Sequence, residues 1–143
     1  MASEQTEKPA GPRAASYLSP PHLMRLSWAC VPVKEAFGRT PYLVGSALLR
    51  PDYRDIDIRL ILDDDDFCRM FAAWGDGLAR LRLVNSSLSL MIETSAKLGT
   101  PIDFQIQPQS HANTYDGMRN PLGMRRAGGV DVPMSFAEPE ADR

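Results

Sequence analysis

The chain has 143 residues, 43% of them hydrophobic, with 16 Lys and Arg against 18 Asp and Glu. That length accommodates one domain with a core of its own and leaves little room for a second. A formal net charge of −2 lacks the basic footprint that non-specific nucleic-acid binding needs, so RNA or DNA is unsupported as a partner without being excluded.

Residues 1–19 are rich in Ala, Pro, Ser and charge without periodicity and read as a flexible leader with no apolar signal core. From Pro21 to Phe37, apolar residues recur at helical spacing, and Pro32 within them predicts a kink or two short helices, with Gly38 at the end. Tyr42-Leu43-Val44 predicts a short buried strand that stops at Gly45-Ser46, followed by a helical turn over Ala47-Leu48-Leu49 that Pro51 ends. The next strand runs through Leu62. The run Asp63-Asp64-Asp65-Asp66 is expected to start a helix, where acidic side chains meet the positive dipole end, rather than to bind metal.

Phe67, Met70, Phe71 and Trp74 follow at helical spacing and are expected in the core. A further helix from about Leu81 to Leu98 is expected to be capped by Gly99. The alternating segment Ile102–Gln107 predicts another strand. Beyond Pro108 the composition shifts to Gly, Pro, Asn, Met and Arg, and the last residues are acidic. Within this extension His111 and Tyr115 are candidates to approach a ligand. Arg119, Arg125 and Arg126 are more simply a solvated charged loop. The order helix, strand, turn, strand, helix, helix, strand predicts an α+β fold: a small mixed sheet with helices packed mainly on one face. The expected division is a leader over 1–19, a core over 20–108 and an extension over 109–143.

Cys30 and Cys68 lie far apart with no metal-ligand spacing and are expected as two buried thiols, suited to a reducing cytoplasm. No apolar stretch approaches the roughly 18 residues of a membrane span, so a cytoplasmic protein is expected.

The chemistry concentrates at residues 43–58. Alternation along a strand puts Asp55 and Asp57 on one face and Ile56, Ile58 and Leu60 on the other. Two carboxylates held side by side repel, and a hard cation with oxygen ligands relieves this. Gly45 lets a phosphate approach the backbone, and Ser46 offers its hydroxyl and amide; a helix start there points N–H groups at an anion. Asp103 shares the polar face of its strand with Gln105 and Gln107. Arg59 alternates onto the face of Asp55 and Asp57, where an ion pair with Asp103 competes with contact to a phosphate.

Val44-Gly45-Ser46 followed by Asp55-Ile56-Asp57-Ile58, with Asp103 later, resembles the DNA polymerase β-type nucleotidyltransferase superfamily over roughly residues 42–107. Only eight residues separate Ser46 from Asp55, fewer than most members use, so the turn at Pro51-Asp52-Tyr53 is expected to be tight. The resemblance implies that Gly45 and Ser46 hold nucleotide phosphates, with Arg59 within reach. It implies that Asp55, Asp57 and Asp103 bind Mg²⁺ or Mn²⁺ and carry catalysis. The implied reaction moves a nucleoside monophosphate from a nucleoside triphosphate to the hydroxyl of an RNA, a protein or a small molecule. The alternative is a catalytically silent member that binds or regulates a partner chain. Larger relatives use extra domains to hold base and acceptor, so a homo-oligomer or partner chain is expected to supply missing surface.

Overall fold

Alternation places the two central strands. The computed structural model describes residues 16–72, 75–127 and 130–132. In strand β2 (Ile56–Leu62), Ile56, Ile58, Leu60 and Leu62 are buried and the intervening residues half-buried; β3 (Ile102–Pro108) repeats this with Ile102, Phe104 and Ile106. β2 and β3 are parallel, with Asp57 beside Asp103 and Arg59 beside Gln105. β1 (Tyr42–Val44) is antiparallel to β2, Val44 lying opposite Asp57, and β4 (Asn120–Pro121) is antiparallel to β1. The resulting mixed sheet has the order β3-β2-β1-β4, and β5 (Arg125–Ala127) and β6 (Val130–Val132) form a separate ribbon. The fold is α+β.

Helix α1 (Pro20–Ala29) starts with Pro20 at its first position and Ser19 as cap, the Ser19 hydroxyl accepting from the His22 amide at 3.3 Å. A break at Cys30 separates it from α2 (Val31–Phe37). Pro32 sits in the first turn of α2, where its missing N–H costs nothing, so two helices form instead of one kinked helix. Gly38, at φ 68°, ends α2. α3 (Ser46–Leu49) is a single turn, as is α4 (Asp64–Phe67), which runs on into a π-helical turn over Cys68–Ala72.

The long helix α5 (Gly77–Ala96) starts earlier than its apolar pattern suggests. It ends on Lys97, in the left-handed region at φ 54°, whose amide donates to the Glu93 carbonyl; Gly99, at φ 76°, lies two residues beyond this cap. Gly99 is therefore not the capping residue.

Leu26 of α1 and Ile92 of α5 are fully buried with Leu43, Ile56, Ile58, Leu60 and Phe104 of the sheet, and together they make the core. Phe71 joins it, Phe67 is half-buried, and Met70 is exposed. The fold also takes in residues ahead of α1: Leu18 is buried, and the Tyr17 amide donates to the Ala47 carbonyl at 2.7 Å. The leader over 1–15, Trp74 and the acidic residues after Val132 lie outside the described residues.

β3 is an edge strand, whose outward N–H groups need partners. Three side chains of α5, four residues apart on one helix face, supply them. The amides of Ile102, Phe104 and Ile106 donate to Glu93 Oε1 at 3.1 Å, Ser89 Oγ at 2.9 Å and Asn85 Oδ1 at 3.0 Å. The periods of helix and strand match here because four residues of helix rise about 6 Å and two of strand about 6.6 Å.

Candidate functional site

β1 ends at Gly45, whose φ of 81° and ψ of −149° belong to a region that essentially only glycine visits. Tertiary contact gives the glycine a second reason. A Cβ at Gly45 would lie 2.5 Å from Asp57 Oδ2. The turn therefore rests directly against the carboxylate of the neighbouring strand. Ser46 follows as the first residue of α3, its carbonyl accepting from the Arg50 amide at 2.9 Å.

Asp57 carries the electrostatic load of the site. Its carboxyl is held above the ordinary carboxylate value, first by burial. The Arg59 guanidinium opposes this, and the charges of Asp103 and Asp55 add to it, as does a carboxyl–carboxylate hydrogen bond to Asp103. Parallel register brings Asp57 and Asp103 side by side. Asp55 stands exposed just before β2, within electrostatic reach of Asp57.

Arg59 forms the ion pair with Asp103 that alternation allowed, Nη2 to Oδ2 at 3.5 Å, while its Nη1 donates to the Ile58 and Asp103 carbonyls at 2.9 Å each. Gln105 Nε2 donates to the same carboxylate at 3.3 Å. A guanidinium thus already answers part of the negative charge.

Gly45, Asp57 and Arg59 line one cleft of about 400 Å³ with Val44 and Gln107, and His111, Thr114, Tyr115 and Arg119 complete its lining. Asp55, Asp103 and Ser46 adjoin this cleft without lining it. Alternation on β3 could have flagged Gln107, whereas nothing in the sequence marks Thr114. His111 ends up in the cleft because β3 leads straight into α6 (Gln109–Ala112), tied to α4 by the Ser110 amide donating to Asp64 Oδ1 at 2.9 Å.

The donors suit a hard divalent cation in kind and charge, three carboxylates with one destabilised by the other two. As they are placed, no group of three His, Cys, Asp or Glu among the described residues converges on one point. The acidic run at 63–66 serves α4 and its neighbours: Asp63 and Asp66 pair with Arg39 at 2.7 and 3.7 Å, and Asp66 also pairs with Arg69.

One of the two cysteines differs from expectation. Cys30 is buried, which pushes its thiol up to about 12, but Cys68 is exposed. Its position on the π-helical turn, outside the core, explains the exposure. Arg125 and Arg126 lie on β5, and their side chains are outside the described part of the structure. No described helix is long and apolar enough to cross a membrane.

No family model matches the chain, and neither the curated proteins nor the solved structures provide a match.

Proposed function

We propose that the chain binds a nucleoside triphosphate at the Gly45 turn and transfers its nucleoside monophosphate to a hydroxyl, pyrophosphate leaving. This follows the resemblance to the polymerase β-type nucleotidyltransferases. The observation that carries it is the close approach of Gly45 to Asp57, an acid that feels the charges of Asp55 and Asp103, with the turn and that acid lining one cleft.

Gly45 and Ser46 hold the terminal phosphates through backbone and hydroxyl, and Arg59 adds a positive charge on the cleft side. Asp55, Asp57 and Asp103 would hold Mg²⁺ or Mn²⁺, which when bound neutralises phosphate charge and favours the ionised acceptor hydroxyl. Asp103 receives the acceptor proton. Positioning does most of the rest, because an oriented hydroxyl reacts as if at very high local concentration. A second cleft of about 570 Å³, lined by Arg39, Thr40 and Gln109, shares Arg119 with the first and offers the acceptor a way in.

A second reading, a silent member that binds a partner chain, is favoured by the Arg59–Asp103 pair, since the guanidinium competes with a cation for that carboxylate.

Thermal unfolding with each of the four nucleoside triphosphates, with and without Mg²⁺, tests the site. Ligand at 100 times its dissociation constant stabilises by about 2.7 kcal/mol. The expected result is a metal-dependent shift for at least one nucleotide, lost in Asp55→Asn/Asp57→Asn. No shift with any nucleotide refutes nucleotide binding. A shift with no transfer to any acceptor, unchanged by Asp103→Asn, supports the silent reading.

A further inference from the structure

Lining the same cleft as the Gly45 turn is the segment after α6, a wall held by its own hydrogen bonds. Ala112 is buried to 1% exposure and anchors it. The Thr114 hydroxyl donates to the His111 carbonyl at 2.7 Å, and the Tyr115 amide to the Ala112 carbonyl at 3.0 Å. Arg119 reaches back over seven residues to donate to that same Ala112 carbonyl at 2.8 Å, which sets its guanidinium 5.2 Å from the centre of the Tyr115 ring. The Tyr115 hydroxyl donates to the Met118 carbonyl at 3.1 Å.

Gly117 leaves room for this arrangement. A Cβ there would lie 2.4 Å from the Tyr115 hydroxyl oxygen and 2.5 Å from the ring carbon that bears it. The Tyr115 hydroxyl and backbone amide are both tied, and the residue retains 37% exposure on the cleft that Gly45 and Asp57 also line.

We infer that the Tyr115–Arg119 wall is the nucleobase subsite, taking the planar base of the nucleotide whose phosphates lie at Gly45. This rests on the nucleotide-binding reading above and adds the part of the ligand that the acids and the turn do not address. An aromatic ring with an arginine suits a planar heterocycle, because ring and guanidinium both favour flat, polarisable partners. With the phosphates at the Gly45 turn, the ring and guanidinium that line the same cleft remain for the base. The His111 ring and Thr114 hydroxyl, on the same wall, offer polar edges to the base.

Calorimetric titration of the full chain in Mg²⁺, with the four nucleoside triphosphates and with inorganic tripolyphosphate, separates base from phosphate. In Tyr115→Ala the preferred nucleotide should bind about tenfold more weakly, as loss of one base–aromatic contact predicts, with tripolyphosphate unchanged within about twofold. Tyr115→Phe keeps the ring and should bind like wild type, and Gly117→Ala, which evicts the ring, should behave as Tyr115→Ala does. Wild type binding nucleotides no tighter than tripolyphosphate overturns the base subsite, as does Tyr115→Ala with unchanged nucleotide affinity. Equal weakening of nucleotide and tripolyphosphate in Tyr115→Ala also overturns it, because the ring would then shape the cleft as a whole. If wild type binds neither, the underlying nucleotide reading fails.

Discussion

Gly45→Ala probes the turn and the acid together. Two costs are expected, one local and one tertiary. Placing an L side chain at φ 81° and ψ −149° costs roughly 1–3 kcal/mol of backbone strain. The new methyl, 2.5 Å from Asp57 Oδ2, must also push the carboxylate or the turn aside, an overpacking cost of roughly 1–3 kcal/mol. Urea denaturation at constant slope should therefore show a loss of about 2–6 kcal/mol. Gly38→Ala is the control: φ is 68°, but nothing lies within 4 Å of its Cβ, so only the backbone cost, about 1–2 kcal/mol, applies. The two costs at Gly45 separate in a double-mutant cycle, because Asp57→Ala deletes the clashing oxygen and leaves its Cβ at an ordinary 3.5 Å. In that background the penalty of Gly45→Ala should fall by about 1 kcal/mol or more. Strict additivity, or a Gly45→Ala protein as stable as wild type, would refute the claim that the turn rests on the acid.

Three more outcomes follow from particular contacts. The Asp57 carboxyl is raised in the folded protein, so its ionisation opposes folding: the cost is absent below the ordinary value of 3.8, grows as pH rises towards the raised value, and is full above it. Asp57→Asn should accordingly stabilise the protein at pH 7 and make no difference near pH 3, and a variant less stable at pH 7 would contradict this. Ser89→Ala leaves the amide of fully buried Phe104 without its partner and should cost about 1–3 kcal/mol, against less than about 0.5 kcal/mol for exposed Ser87→Ala; equal effects in thermal melts would deny the capping of β3 by α5. Lys97→Gly removes a left-handed lysine while keeping the backbone cap to Glu93, and should raise stability by about 1 kcal/mol; a lower melting temperature would count against it.

Much of the scaffold was legible in the sequence because period-two alternation is a local property. Ile56, Ile58 and Leu60 announced the buried face of β2, and Ile102, Phe104 and Ile106 that of β3, with no knowledge of their partners. Pro32 and Gly38 marked helix limits for equally local reasons, a fixed φ and a tolerated positive one. Where local signals compete, the local pattern does not decide the structure. Gly99 is the better left-handed residue, yet α5 stops two residues earlier at Lys97, where the chain must turn to bring Ile102 alongside Ile56. Cys68 falls on a π-helical turn whose changed phase no helical period anticipates, and it faces solvent.

The sequence by itself determined the inventory of the site: a glycine turn at the end of one strand, acids on the polar faces of two others, and an arginine among them. Tertiary structure decided how they meet. Register between residues 46 apart sets Asp103 beside Asp57 and delivers its carboxylate to Arg59. The approach of β2 to the β1 turn makes Gly45 sterically obligatory where the dipeptide alone marks only a turn. The path of the chain beyond β3 carries Tyr115 and Arg119 to the cleft that Gly45 and Asp57 line. Side-chain alternation is imposed by neighbouring peptides and shows in any short window, whereas register and cleft walls are set by how the whole core packs, which no short window contains.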